Sequence, residues 1–147
     1  MGKLIQLVII LALLFFAWKW WQGHQTGSPA TAGGGATDLC TPYVRSATTA
    51  WSSGIRNFSA GPPYETAAWD SFRSDMENRI READSHCSCS LESCAKAKEA
   101  MSGLRDMVTS VDGMIRNNSA PPSDLVQRQE SVDNLADQAR ELAGQGK

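Results

Sequence analysis

Residues 85–94 read SHCSCSLESC and hold three of the chain's four cysteines, while the fourth, Cys40, stands far upstream. On both sides of this stretch apolar residues recur at three- and four-residue spacing, the signature of amphipathic helices. Before it come Ala68, Trp69, Phe72, Met76, Ile80 and Ala83; after it come Leu91, Cys94, Ala97, Met101, Leu104, Val108, Val111 and Ile115. The cysteine-rich stretch is therefore predicted to be a turn between two helices, the second starting near Ser88 or Ser90.

The same period extends outward. Leu39, Tyr43, Val44, Ala47, Ala50, Trp51, Ile55 and Phe58 define an earlier helix. Thr41 reads as its N-cap and Pro42 as its first helical residue, where a missing N–H costs nothing. SAGPP at 59–63 ends it. Downstream, Asn117 and Asn118 stop the third helix and SAPPSD at 119–124 makes a turn capped near Ser123. A fourth helix then carries Leu125, Val132, Leu135, Ala136, Ala139 and Leu142 inward. Its stripe is thin, with Arg128 or Gln129 where a core residue belongs, and Glu130, Asp133, Asp137 and Glu141 cover its other face. No β-type alternation of useful length occurs. The reading is all-α: a small up-and-down antiparallel bundle of about four helices over residues 38–147, with short loops.

That topology explains the cysteines. The start of the first helix and the turn between the second and third fall at the same end of such a bundle, so Cys40 is expected to meet Cys87, Cys89 and Cys94. Outside the cytoplasm, four cysteines imply two disulfides. Pairing Cys87 with Cys89 would strain the bridge geometry. Two arrangements remain: Cys40–Cys87 with Cys89–Cys94, or Cys40–Cys89 with Cys87–Cys94. Four thiolates in one place would also suit zinc, yet structural zinc sites favour pairs spaced Cys-x₂₋₄-Cys, and a second such pair is missing. A thiol oxidoreductase would need a Cys-x-x-Cys motif in a βαβ setting, which is absent.

The N-terminus is of another kind. Residues 4–18, LIQLVIILALLFFAW, hold one polar side chain, Gln6, and no charge. A helix over 4–21 would reach roughly 27 Å, close to the hydrocarbon thickness of a bilayer. Trp18, Lys19, Trp20 and Trp21 then fall at the membrane interface, where indoles settle and a lysine snorkels outward. Residues 1–21 are accordingly read as a transmembrane signal-anchor, with Lys3 holding the N-terminus in the cytoplasm and the remainder outside. A small-x-small cleavage site, Ala30-Thr31-Ala32, lies more than ten residues beyond the apolar run, farther than signal peptidase usually cuts. Residues 22–37, QGHQTGSPATAGGGAT, bury too little to order themselves and read as a flexible low-complexity linker.

Charge narrows the function. The chain carries 14 Lys+Arg against 16 Asp+Glu, and only two of the basic residues, Lys3 and Lys19, precede residue 38. The helical part is thus acidic, against a nucleic-acid partner. His24 and His86 are the only histidines, and neither a nucleophile elbow, a phosphate loop, a metallopeptidase helix nor a calcium loop is present. Asp70, Glu77 and Asp84, interleaved with Arg73 and Arg81, read as a solvated, salt-linked face. The expectation is a membrane-anchored extracytoplasmic binding or scaffolding module without catalysis, metal or cofactor, engaging the membrane through residues 4–21 and a protein partner or its own copies. Two alternatives stand beside it: a metal-binding or thiol-redox protein using Cys40, Cys87, Cys89 and Cys94, and a secreted soluble protein after signal-peptide cleavage.

Overall fold

The computed structural model describes residues 39–147. The expected span at 1–21, its interface residues Trp18, Lys19, Trp20 and Trp21, and the linker at 22–37 lie outside the described residues. Within them are four α-helices, a 3₁₀ turn and no strand: α1 (Thr41–Gly54), the 3₁₀ turn (Ile55–Phe58), α2 (Thr66–His86), α3 (Glu92–Arg116) and α4 (Leu125–Gly144). None of these helices is long and apolar enough to cross a membrane.

Each helix runs antiparallel to the next, as the residues that meet across them show. Cys40, at the start of α1, is bonded to Cys87, at the end of α2. Arg105 pairs with Asp84, and Arg116 with Asp70, between α3 and α2. Gly103 on α3 faces Val132 on α4. Gln129 on α4 donates to Ser52 on α1, which closes the ring of four.

The core is built around α3, which supplies eleven buried residues, among them Met101, Leu104, Met107 and Val111. Opposite them lie Trp51 from α1 and Trp69 and Met76 from α2. α4 buries only Leu125, Val132 and Ala139, so it is held by its fit against α3 more than by its own apolar stripe. Gly103 makes that fit close: a Cβ there would stand 2.8 Å from Val132 Cγ2.

Helix ends follow local chemistry, with several departures from the sequence expectation. The N-cap of α1 is Cys40, not Thr41; the Cys40 carbonyl accepts from Tyr43 and Val44 N–H, and Pro42 occupies the first turn. The α-helix stops at Gly54 and tightens into the 3₁₀ turn, whose three-residue period puts Ile55 and Phe58 on one buried face. α3 begins at Glu92, not near Ser88 or Ser90, because the Cys89–Cys94 bridge closes that segment and Leu91 is extended. α4 is capped at Asp124, the neighbour of Ser123, within the expected turn. Ala68 and Leu39, expected inward, are exposed.

α3 and α4 end alike. Asn118 takes φ +49°, Ser119 N–H reaches Met114 O, and Asn118 N–H reaches Ile115 O. At the end of α4, Gly146 takes φ +72°, with Lys147 N–H on Leu142 O and Gly146 N–H on Ala143 O. Both are Schellman closures, which need a residue tolerant of the left-handed region.

Candidate functional site

The chemistry-bearing residues collect at the end where α1 begins. Because α1 and α2 are antiparallel, the α1 N-cap and the α2 C-cap are neighbours. Cys40 and Cys87 are bonded there, with Cα atoms 4.5 Å apart. Cys89 and Cys94 close the following turn, with Cα atoms 5.8 Å apart. Of the two pairings the spacing allowed, the structure has Cys40–Cys87 with Cys89–Cys94, and no described cysteine is free. Cys40, Cys87 and Cys94 are buried, and Cys89 is exposed. Disulfides of this kind persist in oxidising compartments and are rare in the cytosol.

Two further contacts finish this end. Tyr43 and His86 stack with ring centroids 3.9 Å apart and planes 5° from parallel. Lys147 O accepts from Ser93 N–H at 3.3 Å, tying the last residue of the chain to the first turn of α3. Ser93 is fully buried and its Oγ has no partner.

The opposite end is aromatic. Phe58 meets Trp69 edge-on at 5.2 Å, and Phe72 lies 5.8 Å from both. Gly54 makes the arrangement possible, since a Cβ at that position would stand 2.2 Å from Phe72 Cε2. Beside this cluster is a cleft of about 430 Å³ between Gly54, Phe58, Pro63, Tyr64, Ala68 and Phe72. Tyr64 hydroxyl donates to Ser119 O at 2.8 Å and joins the two proline-rich loops.

Between the two ends, one carboxylate organises the α2–α3 contact. Asp112 accepts from Trp69 Nε1 at 2.9 Å and from Arg116 Nε at 3.0 Å, and Arg73 Nη1 stands 3.4 Å away. Burial pushes the Asp112 carboxyl up, but the Trp69 and Arg116 hydrogen bonds and the two guanidinium charges outweigh it, and the net shift is downward. The expected face of Asp70, Glu77 and Asp84 is solvated and salt-linked, and it reaches farther than its own helix: Asp70 pairs with Arg116 and Asp84 with Arg105. Asp112 itself escaped the sequence reading. Its signal was a carboxylate within the apolar run from Val108 to Ile115, across from a buried indole whose N–H needs an acceptor.

Among the described residues no group of three or more His, Cys, Asp and Glu is placed to hold a metal ion. Two further clefts among the described residues are lined largely by paired charges or hydroxyls. That of about 380 Å³ between α2 and α3 has Ile80 and Val108 as its apolar lining and the Asp84–Arg105 pair in its wall.

No family model matches the chain, and no curated protein or solved structure is similar to it.

Proposed function

We propose that the chain is a membrane-anchored, extracytoplasmic helical module that presents a folded surface to a protein partner and performs no chemistry of its own. The observation that carries this reading is the pair of disulfides at the end where the chain enters the bundle. Bridges of this kind belong to an oxidising compartment, and the apolar run at 4–18 supplies the attachment. Residues 22–37 then serve as a tether that holds the up-and-down bundle near the bilayer with a reach of about 20–24 Å. The absence of catalysis is supported by how the reactive groups are engaged: all four thiols are in bridges, and Asp112, Asp70 and Asp84 are tied to arginines or an indole.

A reporter that is active only outside the cytoplasm, fused after Lys147, tests the placement, and alkaline extraction of membranes tests the anchor. The expected result is an active reporter in a membrane fraction that alkali does not strip. An inactive reporter would overturn the orientation. An active reporter released into the soluble fraction, with an intact mass beginning near Gly33, would favour the secreted form. Thiol titration under denaturing, non-reducing conditions is expected to find none free, whereas four free thiols with bound zinc would favour the metal-binding alternative.

A further inference from the structure

The seam between α1 and α4 is marked where Gln129 Nε2 donates to Ser52 Oγ at 3.1 Å. Arg45 stands seven residues before Ser52 on α1, on the flank beside that seam, and Arg56 follows four residues after Ser52 in the 3₁₀ turn that extends α1. The segment Thr41–Phe58 contains no carboxylate. On α4, Asp133 and Asp137 stand four and eight residues after Gln129, and Glu130 and Glu141 continue the same stripe at helical spacing. Arg45, Arg56, Glu130, Asp137 and Glu141 are exposed, and Asp133 is half-buried. One face of the bundle therefore carries a basic strip on one helix and an acidic strip on its neighbour.

The charges on this face are poorly answered within the molecule. Arg45, Arg56, Glu130 and Glu141 form no ion pair among the described residues, and Arg140 offsets only Asp137, at 3.1 Å. Burial holds the Asp133 carboxyl above its ordinary range; the Gln129 hydrogen bond works against this, and the negative charge of Asp137 adds to it. Val126, 70 % exposed and one of two exposed large hydrophobics among the described residues, lies four residues before Glu130 on the same stripe.

We propose that this face binds a second copy of the chain as an isologous two-fold dimer, with α1 of each copy lying over α4 of the other. A two-fold axis parallel to the helices exchanges left and right on the face and leaves height unchanged, so each basic strip meets the partner's acidic strip. Heights match as well. Ser52 and Gln129 are level, the two helices are antiparallel, and each residue rises 1.5 Å. Arg45 is then within about 2 Å of the level of Asp137, and Arg56 is level with Val126 and about 8 Å from the level of Glu130, a span that an arginine side chain largely covers. The dimer would cover Val126 and relieve the repulsion around Asp133. Its axis leaves both N-terminal ends on one side, as two copies anchored in one membrane require. The inference deepens the proposed function by naming the partner, and it rests on that reading only for the shared anchoring.

The test uses the full chain carrying two different tags, co-expressed and extracted from membranes in mild detergent. Wild type is expected to capture itself. Arg45→Glu/Arg56→Glu makes both strips acidic, and Glu130→Arg/Asp137→Arg/Glu141→Arg leaves Asp133 as the one acid against three arginines and so makes both basic; each variant alone should lose self-capture at least tenfold. Co-expressed, the two variants should capture each other at close to the wild-type level, because both cross-pairings are then attractive. Self-capture retained by either variant, or no recovery in the mixed pair, would overturn the dimer. Free thiols in a charge-reversed variant would mark misfolding, and the milder Arg45→Gln/Arg56→Gln chain then carries the test with the same expected loss. A chain found in the soluble fraction would sink the membrane reading and leave this measurement intact.

Discussion

The Trp69 indole donates to Asp112 Oδ1 at 2.9 Å, joining α2 to α3 across 43 positions of sequence. Trp69 is fully buried, so removing the carboxylate takes away the acceptor that its N–H has in the folded protein. Asp112→Ala should cost about 1–3 kcal/mol, the usual consequence of leaving a buried donor unpaired. Asp112→Asn keeps an acceptor for the indole and should cost less at neutral pH. Urea unfolding of both variants checks the order.

The same residue makes stability depend on acid. The Asp112 carboxyl lies below its ordinary range in the folded protein, so its contribution is complete above the unfolded value of about 3.9. It fades as the pH falls from there through the folded-state value. Asp112→Asn should therefore flatten the acid limb of the stability curve while leaving the region above pH 5 parallel to wild type. Thermal melts from pH 2 to 7 measure this directly.

Asp133 should behave in the opposite sense. Its carboxyl is raised, chiefly by burial and further by Asp137. In the folded state its ionised form is disfavoured, which lowers stability once the pH rises above the unfolded carboxyl value. Asp133→Asn should stabilise the protein at neutral pH, with the gain vanishing on acidification. Comparing melts at pH 3 and pH 7 would detect the sign.

Gly54, Gly103 and Gly113 should part company on substitution by alanine. At Gly54 the new Cβ meets the Phe72 ring at 2.2 Å, and that ring is packed by Trp51, Phe58 and Trp69. Overpacking there should cost about 1–3 kcal/mol. At Gly103 the neighbour is a single methyl of Val132 at 2.8 Å, and the loss should be smaller. At Gly113 nothing stands within 4 Å, so alanine should stabilise by up to about 1 kcal/mol through helix propensity. A common loss at all three positions would contradict the packing described.

The two bridges should differ in weight. Cys40–Cys87 closes a loop of 47 positions and Cys89–Cys94 one of 5. Chain entropy assigns them about 4 and about 2 kcal/mol. Unfolding of the Cys40→Ala/Cys87→Ala and Cys89→Ala/Cys94→Ala chains under oxidising conditions should rank them in that order.

Much of this architecture is legible in the sequence because helices announce themselves by period. The stripes of Trp69, Met76, Ile80 and Ala83, and of Met101, Leu104, Val108 and Val111, are buried as their spacing demands. Topology then brings Cys40 to the 87–94 turn without any knowledge of side-chain geometry. The choice between Cys87 and Cys89 as its partner was beyond such reasoning, since both sit in one turn and only the backbone path separates them. The start of α3 was misplaced for a related reason: Ser88 and Ser90 have the chemistry of caps, but the Cys89–Cys94 bridge overrides it. The bond from Trp69 to Asp112 and the pairs Arg116–Asp70 and Arg105–Asp84 were missed because i,i+4 spacing reveals partners on one helix and says nothing of those on another. Gly54 and Gly103 read only as costs to their helices; the close approach that explains them belongs to the neighbours Phe72 and Val132.

The bond between Cys40 and Cys87 also sets a mechanical path. A pull applied at Leu39 enters the protein one residue later and crosses two sulfur atoms to the end of α2, so α1 cannot be peeled away from its outer turn. The chain between the linked cysteines, 47 positions apart, stays out of reach of stretching while the bond survives. That withholds about 160 Å of contour length from a fully extended chain. Reduction would add this length at once, and the domain would yield first at the helix it otherwise protects.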